Sequence, residues 1–232
     1  MEKEYAFYGE HTLLMDDRFF KLTTDTVLLS HFADIKKGTR GIDLGAGVGC
    51  LGLLCMLRND GVRVDGIELT EGAALLAQKN YSRCGFAGEA QIIHGDYTGH
   101  RFDTKYDFCL SNPPYFSPQR GKNSSSAEID AARRAELEGV CSAAARAIKT
   151  TGSFFFCLRP ERLDAAFSAL HQNSFFIKRL RFVHDKVGSK ASIVLIEARR
   201  GSEGVKIDPP LILRDENGYT KEYCDIYGQY LR

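Results

Sequence analysis

The chain has 232 residues, 44% of them hydrophobic and 26% charged, with 31 Lys and Arg against 30 Asp and Glu. These values fit one large globular domain, or two very small ones, and exclude a wholly disordered chain. A net charge of +1 supplies no global positive field, so nucleic acid or another polyanion would have to be held by a local patch.

The opening Met1-Glu-Lys-Glu-Tyr5 is charged and has no apolar run, so no signal peptide is expected there. No apolar run approaches the roughly 20 residues of a membrane span. Seven cysteines form no Cys-x-x-Cys pair, which points to free thiols in a reducing cytoplasm and to no metal site. His94 and His184 end apolar runs and read as satisfied structural histidines.

In chain order, His11 to Thr23 reads as a strand or hairpin, and Asp25 to Ala33 as a helix capped by Thr24 or Asp25. Residues 1–39 are thus expected to form an N-terminal cap. Strands are expected at Arg40–Leu44, Val62–Glu68, Ala90–His94, Tyr106–Leu110 and Gly152–Leu158. Helices are expected between them at Cys50–Asn59, Glu71–Cys84, which stops at Gly85, and Ala127–Ile148. A helix over Pro160–His171, with proline in its first turn, precedes strands at Phe175–Val183 and Ala191–Ala198. This alternation predicts an α/β core over 40–200, a mostly parallel seven-stranded sheet with helices on both faces. The last two strands lack an intervening helix and must pair as an antiparallel hairpin at one edge. Residues 201–232 are expected to form a tail packed on the core.

The strongest local signal is Asp43-Leu-Gly-Ala-Gly-Val-Gly49, where a strand ends, alternate glycines follow and a helix begins. Glycines let backbone approach a ligand, and a helix N-terminus favours an anionic group. The overlapping Gly47-Val-Gly-Cys-Leu-Gly52 is a literal Gly-x-Gly-x-x-Gly that would equally suit NAD. Glu68 ends the second strand, where a carboxylate accepts from ribose hydroxyls. Asp43 before the glycines is more typical of methyltransferases, and Asp96 ends the third strand at the height of an adenine.

Ser111-Asn-Pro-Pro-Tyr-Phe116 follows the fourth strand, at the switch point where such sheets bind ligands. An exocyclic or amide nitrogen is a poor nucleophile with two N–H donors. The Asn112 side-chain oxygen and the Pro113 carbonyl can accept both. Pro113 and Pro114 stiffen the corner, and Tyr115 offers a flat face for a planar substrate.

On these residues the chain resembles the class I, Rossmann-like methyltransferases that use S-adenosylmethionine, and more narrowly the bacterial tRNA(Val) adenine-N6 methyltransferase family. The likeness runs through Arg18-Phe-Phe-Lys-Leu-Thr-Thr-Asp-Thr-Val-Leu-Leu29, the glycine loop, Asn112 to Tyr115, Arg133, Pro209-Pro-Leu211 and Gly218-Tyr-Thr220. It implies methyl transfer to N6 of an adenine in a tRNA anticodon loop. It also implies that Asn112, Pro113, Pro114 and Tyr115 form the catalytic corner. The cofactor contacts it implies are Asp43, Gly45, Ala46, Gly47, Gly49, Glu68, Leu69, Asp96, Tyr97 and Asn112. Thr24 and Asp25 either close over the methionine end or cap their helix. Phosphate contacts are expected from Arg120, Lys122, Arg133, Arg134, Arg179 and Arg181. The expected partner is tRNA, with no membrane, and a monomer is compatible with it. A protein glutamine amide or another RNA base is the alternative substrate, and a non-catalytic RNA-binding module the alternative class.

Overall fold

The computed structural model describes residues 2–19, 22–113, 126–201 and 204–228, without the side chains of 126–133. The chain starts with a hairpin, β1 (Lys3–Ala6) and β2 (Thr12–Met15), and then helix α1 (Thr24–Phe32). The sequence pattern misses β1 because all four of its side chains are exposed, so it carries no buried periodicity. Thr23 caps α1, one residue before the expected Thr24 or Asp25, its hydroxyl accepting from the Thr26 amide.

The core follows as β3 (Arg40–Leu44), α2 (Cys50–Arg58), β4 (Arg63–Glu68), α3 (Glu71–Arg83), β5 (Ile92–His94) and β6 (Tyr106–Ser111). It continues as α4 (Ser126–Ala147), β7 (Ile148–Leu158), α5 (Leu163–Gln172) behind a 3₁₀ turn at Pro160–Arg162, β8 (Phe176–Lys186) and β9 (Ala191–Arg199). These seven strands lie in the order β5-β4-β3-β6-β7-β9-β8, all parallel except β9, which is antiparallel to both its neighbours. Order reverses between β3 and β6, which creates a crevice at their carboxyl ends.

The expected edge hairpin β8–β9 is interior. After it come β10 (Lys206–Ile207), β11 (Leu211–Asp215), β12 (Gly218–Tyr219) and α6 (Lys221–Tyr227). β10 and β11 pair in parallel with β8, and β12 closes antiparallel on β11, so the sheet has ten strands. Capping β8 removes a long exposed edge. Two of the added strands are only two residues long, too short to show a period in sequence.

Consecutive side chains on a strand face opposite sides, and both sides of this sheet are buried. Phe155 therefore packs with Leu53, Leu54, Val64 and Leu195 under α1 and α2. Phe154 and Phe156 pack with Leu44, Ile67, Val140 and Ile196 under α4 and α5. Asn80 of α3 is fully buried and donates to the Leu14 and Val48 carbonyls while accepting from the Leu14 amide. One side chain thus ties the N-terminal hairpin to the glycine loop. No helix among the described residues is long and apolar enough to cross a membrane.

Candidate active site at the carboxyl end of the sheet

The segment after β3 turns sharply because Gly45, Gly47 and Gly49 all have positive φ, +79°, +55° and +89°. The Gly45 and Ala46 amides donate to the Ile67 carbonyl at 2.9 and 3.1 Å, so the turn is stitched to the end of β4. A side-chain carbon at Gly47 would meet nothing within 4 Å, and one at Gly45 only the Tyr97 ring edge at 4.0 Å. These two glycines border open space above the sheet. Gly49 and Gly52 do something else. A carbon at Gly49 would lie 2.9 Å from the Tyr81 ring, and one at Gly52 2.2 Å from the Tyr81 hydroxyl. The later glycines of the Gly-x-Gly-x-x-Gly pattern make room for a buried tyrosine of α3, and Gly49 also starts α2.

Asp43 is 1% exposed, and neither carboxylate oxygen has a hydrogen-bonding partner among the described residues. Desolvation pushes it up to about 7, and the nearby Glu68 adds to this; the Gly52 amide pulls the other way without reaching hydrogen-bonding geometry. A buried carboxylate in this state lacks a donor that a ligand could bring. Glu68, at the end of β4, accepts from the Gly47 amide at 2.9 Å and the Thr70 amide at 2.8 Å. It therefore braces the glycine loop. A carboxylate has about four acceptor positions, so two bonds do not exhaust it. Leu69 beside it is 66% exposed. Asp96 follows β5 and is exposed, with Oδ1 accepting from both the amide and hydroxyl of Thr98. Half-buried Tyr97 faces Gly45, and burial above all raises its hydroxyl to about 12, so it stays neutral. The open glycines, the orphaned Asp43 and the acidic and apolar groups on adjacent strand ends fit S-adenosylmethionine, which carries a cationic ammonium, a ribose diol and a flat adenine.

One strand away, the Ser111 hydroxyl donates to the Leu44 carbonyl at 2.9 Å and locks the end of β6 to β3. Asn112 follows. Its Nδ2 donates to the Thr26 hydroxyl at 3.0 Å, and its Oδ1 accepts from the Cys157 thiol at 3.1 Å. Pro113 is buried behind it. Pro114, Tyr115, Arg120 and Lys122 lie outside the described residues, as does the Arg133 side chain. Thr24 and Asp25 form the first turn of α1 and are half-buried.

Two expected phosphate contacts need correcting. Arg179 bonds Glu197 at 3.1 Å, Asp208 at 3.3 Å and the Phe32 carbonyl at 2.6 Å, and stacks 4.0 Å above the Phe32 ring. Arg181 donates to the Pro209 carbonyl and to Glu222 at 2.6 Å. Arg181 joins β8 to the tail, and Arg179 joins β8 to β9, α1 and the tail, because these elements supply acids and carbonyls that the sequence pattern does not place. Arg134 on α4 is exposed. The sequence pattern does not point to Thr26 and Cys157 as contacts of Asn112, nor to Tyr81 as the occupant beside the glycines. Nothing local to those residues signals the contacts, since each is made across the fold.

A glycine turn at the crevice, acids on neighbouring strand ends and an Asn-Pro corner on this sheet order define a class I methyltransferase. A solved structure of a predicted O-methyltransferase from Agrobacterium tumefaciens superposes with a TM-score of 0.74 at 19% identity, covering 89% of this chain and 97% of that one. The Thermus thermophilus 16S rRNA N2 G1207 methyltransferase, solved with AdoMet and guanosine, superposes with a TM-score of 0.59 at 18% identity, over 86% of this chain and 51% of its own. Both likenesses are of fold. In sequence, the chain is 33% identical to the tRNA1(Val) (adenine(37)-N6)-methyltransferase of Dickeya chrysanthemi, over 79% of this chain and 74% of that protein. It is 28% identical to the enzyme of the same name from Aliivibrio fischeri, over 97% and 96%. The chain belongs to the methyltransferase small domain family, whose profile matches residues 22–158.

Proposed function

We propose that this protein transfers a methyl group from S-adenosylmethionine to N6 of an adenine in the anticodon loop of a tRNA, as a cytoplasmic enzyme. The observation that carries the reading is the Asn112-Pro113 corner, held at the end of β6 beside the glycine turn after β3. It agrees with the names of the relatives that span nearly the whole chain. Bound S-adenosylmethionine supplies an electrophilic methyl carbon on a sulfonium.

The residues of the chain do the rest. The turn at Gly45, Ala46 and Gly47 gives backbone approach, with Gly49 shaping its end. Glu68 takes the ribose hydroxyls, Leu69, Asp96 and Tyr97 border the adenine, and Asp43 accepts from the amino-acid end beside Thr24 and Asp25. Asn112 Oδ1 and the Pro113 carbonyl accept the two N–H groups of the target amine. The methyl–sulfur bond would break as the N–C bond forms, leaving a neutral thioether, and these two acceptors would stabilise the charge on nitrogen until it releases a proton to solvent. Pro114 stiffens the corner and Tyr115 stacks on the base. No residue becomes covalently modified. Cys50 and Cys141 are not nucleophiles here: burial raises both thiols to about 12. An anticodon-loop base is already unpaired, so extruding it costs less than opening a duplex. Arg134, with Arg120, Lys122 and Arg133, supplies the local phosphate contacts.

The test incubates the protein with methyl-labelled cofactor, tRNA and total protein. Label at N6 of adenine in tRNA supports the reading, whereas label in protein amides or in another base replaces it. Asn112→Ala should cut turnover by about 10²–10³ while cofactor affinity by calorimetry stays close to wild type.

A further inference from the structure

We infer that Thr26, on the N-terminal helix, is a positioning residue for methyl transfer, acting by holding the plane of the Asn112 carboxamide; this rests on the catalytic role proposed for Asn112. Thr26 lies 86 positions before Asn112 in the chain and is 4% exposed. Its hydroxyl oxygen accepts from Asn112 Nδ2 at 3.0 Å and lies 3.2 Å from the Thr23 hydroxyl. A hydroxyl that accepts from an amide still has its own proton to give, and Thr23 Oγ1 is in reach. Asn112 thus donates to Thr26, and Thr26 and Thr23 share a hydroxyl–hydroxyl bond in which either can be the donor. Thr23 in turn accepts from the Thr26 amide as the helix cap, so the chain of bonds ends on rigid backbone. Bonds in such a chain polarise and strengthen one another.

The other end of the carboxamide is held by Cys157 on β7, a fully buried thiol donating to Oδ1 at 3.1 Å. A carboxamide turns about its last side-chain bond in a broad, shallow well, so its plane is set by partners. Two of its partners, one on α1 and one on β7, grip opposite ends. A thiol is a weak donor, and a carboxamide oxygen has two lone pairs. Cys157 thus orients Oδ1 without competing strongly with an incoming amine. Thr26 is the stronger of these two grips, and losing it loosens the plane. Small misplacements at a reacting centre lower turnover far more than binding. The N-terminal segment is in this way part of the reaction geometry.

The experiment compares Thr26→Val, Thr26→Ser, Asn112→Ala and the Thr26→Val/Asn112→Ala double variant. Thr26→Val keeps the shape and removes the acceptor. It should lower kcat about tenfold, with KM for tRNA and cofactor affinity within about twofold of wild type. Thr26→Ser should recover most of the turnover. In the Asn112→Ala background Thr26→Val should cost nothing further, because it acts through a group already gone. A Thr26→Val enzyme with wild-type kcat, an additive loss in the double variant, or equal losses in the valine and serine variants would each overturn the assignment. Should wild type not methylate tRNA, only the substrate reading fails. The grip is then read from the Asn112 side-chain amide protons in a ¹⁵N spectrum, identified by their absence in Asn112→Ala. Slow exchange in wild type and Thr26→Ser with fast exchange in Thr26→Val supports it, and unchanged exchange in Thr26→Val overturns it.

Discussion

Replacing Asp43 with Asn should stabilise the cofactor-free protein, and by an amount that depends on pH. Asp43 is buried with both oxygens unpartnered among the described residues, and burial raises it from 3.8 to about 7. In the unfolded chain it ionises near 3.8, in the folded chain only near 7. Between those values the unfolded state binds fewer protons, so the group's contribution to stability falls as pH rises and levels off above about 7. Fully ionised, it opposes folding by roughly 4 kcal/mol. Asparagine has nearly the same shape and never ionises. At pH 8 the Asp43→Asn protein should melt about 10 °C above wild type, given a few degrees per kcal/mol for a chain of this size. At pH 5 the advantage should shrink to about two-fifths of that, since the folded carboxyl is then almost wholly protonated and only the cost of protonating it above 3.8 remains. Thermal melts of both proteins without cofactor, from pH 5 to 8, provide the measurement. An Asp43→Asn variant that melts below wild type at pH 8, or by a constant offset across the range, would refute the reasoning. Saturating S-adenosylmethionine should then raise the wild-type midpoint more than that of the variant, because the ligand supplies the donor that Asp43 lacks.

Gly52→Ala should destabilise by about 1–3 kcal/mol in urea titrations, because the new carbon would sit 2.2 Å from the Tyr81 hydroxyl. Tyr81→Phe removes a buried hydroxyl with no partner among the described residues; it should be neutral or stabilising alone and recover part of the Gly52→Ala loss. Arg179→Ala strips Glu197 and Asp208 of a partner and should cost about 2–4 kcal/mol, with Arg199 still bonded to Glu197 limiting the damage. It should leave the salt dependence of tRNA binding unchanged. Arg134→Ala should do the opposite, keeping the melting temperature and lowering the slope of log affinity against log salt by about one.

Much of the architecture is legible along the chain because its signals are local. Arg40–Leu44 appears as a strand, and Cys50–Arg58 and Glu71–Arg83 as helices within a residue or two, since burial on one or both faces writes a period into the sequence. Positive φ at Gly45, Gly47 and Gly49 is likewise a local demand, and it marks the turn whatever lies nearby. The tail strands are illegible for the converse reason. Lys206–Ile207 and Gly218–Tyr219 are extended because β8 and β11 offer unpaired backbone, with no pattern of their own.

By itself the sequence determined the sheet-and-helix alternation, the glycine turn, the acidic strand ends and the Asn112-Pro113 corner, each a property of a few adjacent residues. Tertiary structure alone decided what those residues meet. Gly49 and Gly52 face Tyr81 because that side chain reaches from α3 to the start of α2. Arg179 is an internal tie because the tail brings Asp208 to it, and α1 supplies the Phe32 carbonyl. Asn112 is gripped by Thr26 and Cys157 because α1 and β7, far apart in the chain, close on the end of β6. Such contacts depend on how whole elements pack, and a side chain's partners across the core leave no periodic trace beside it in sequence.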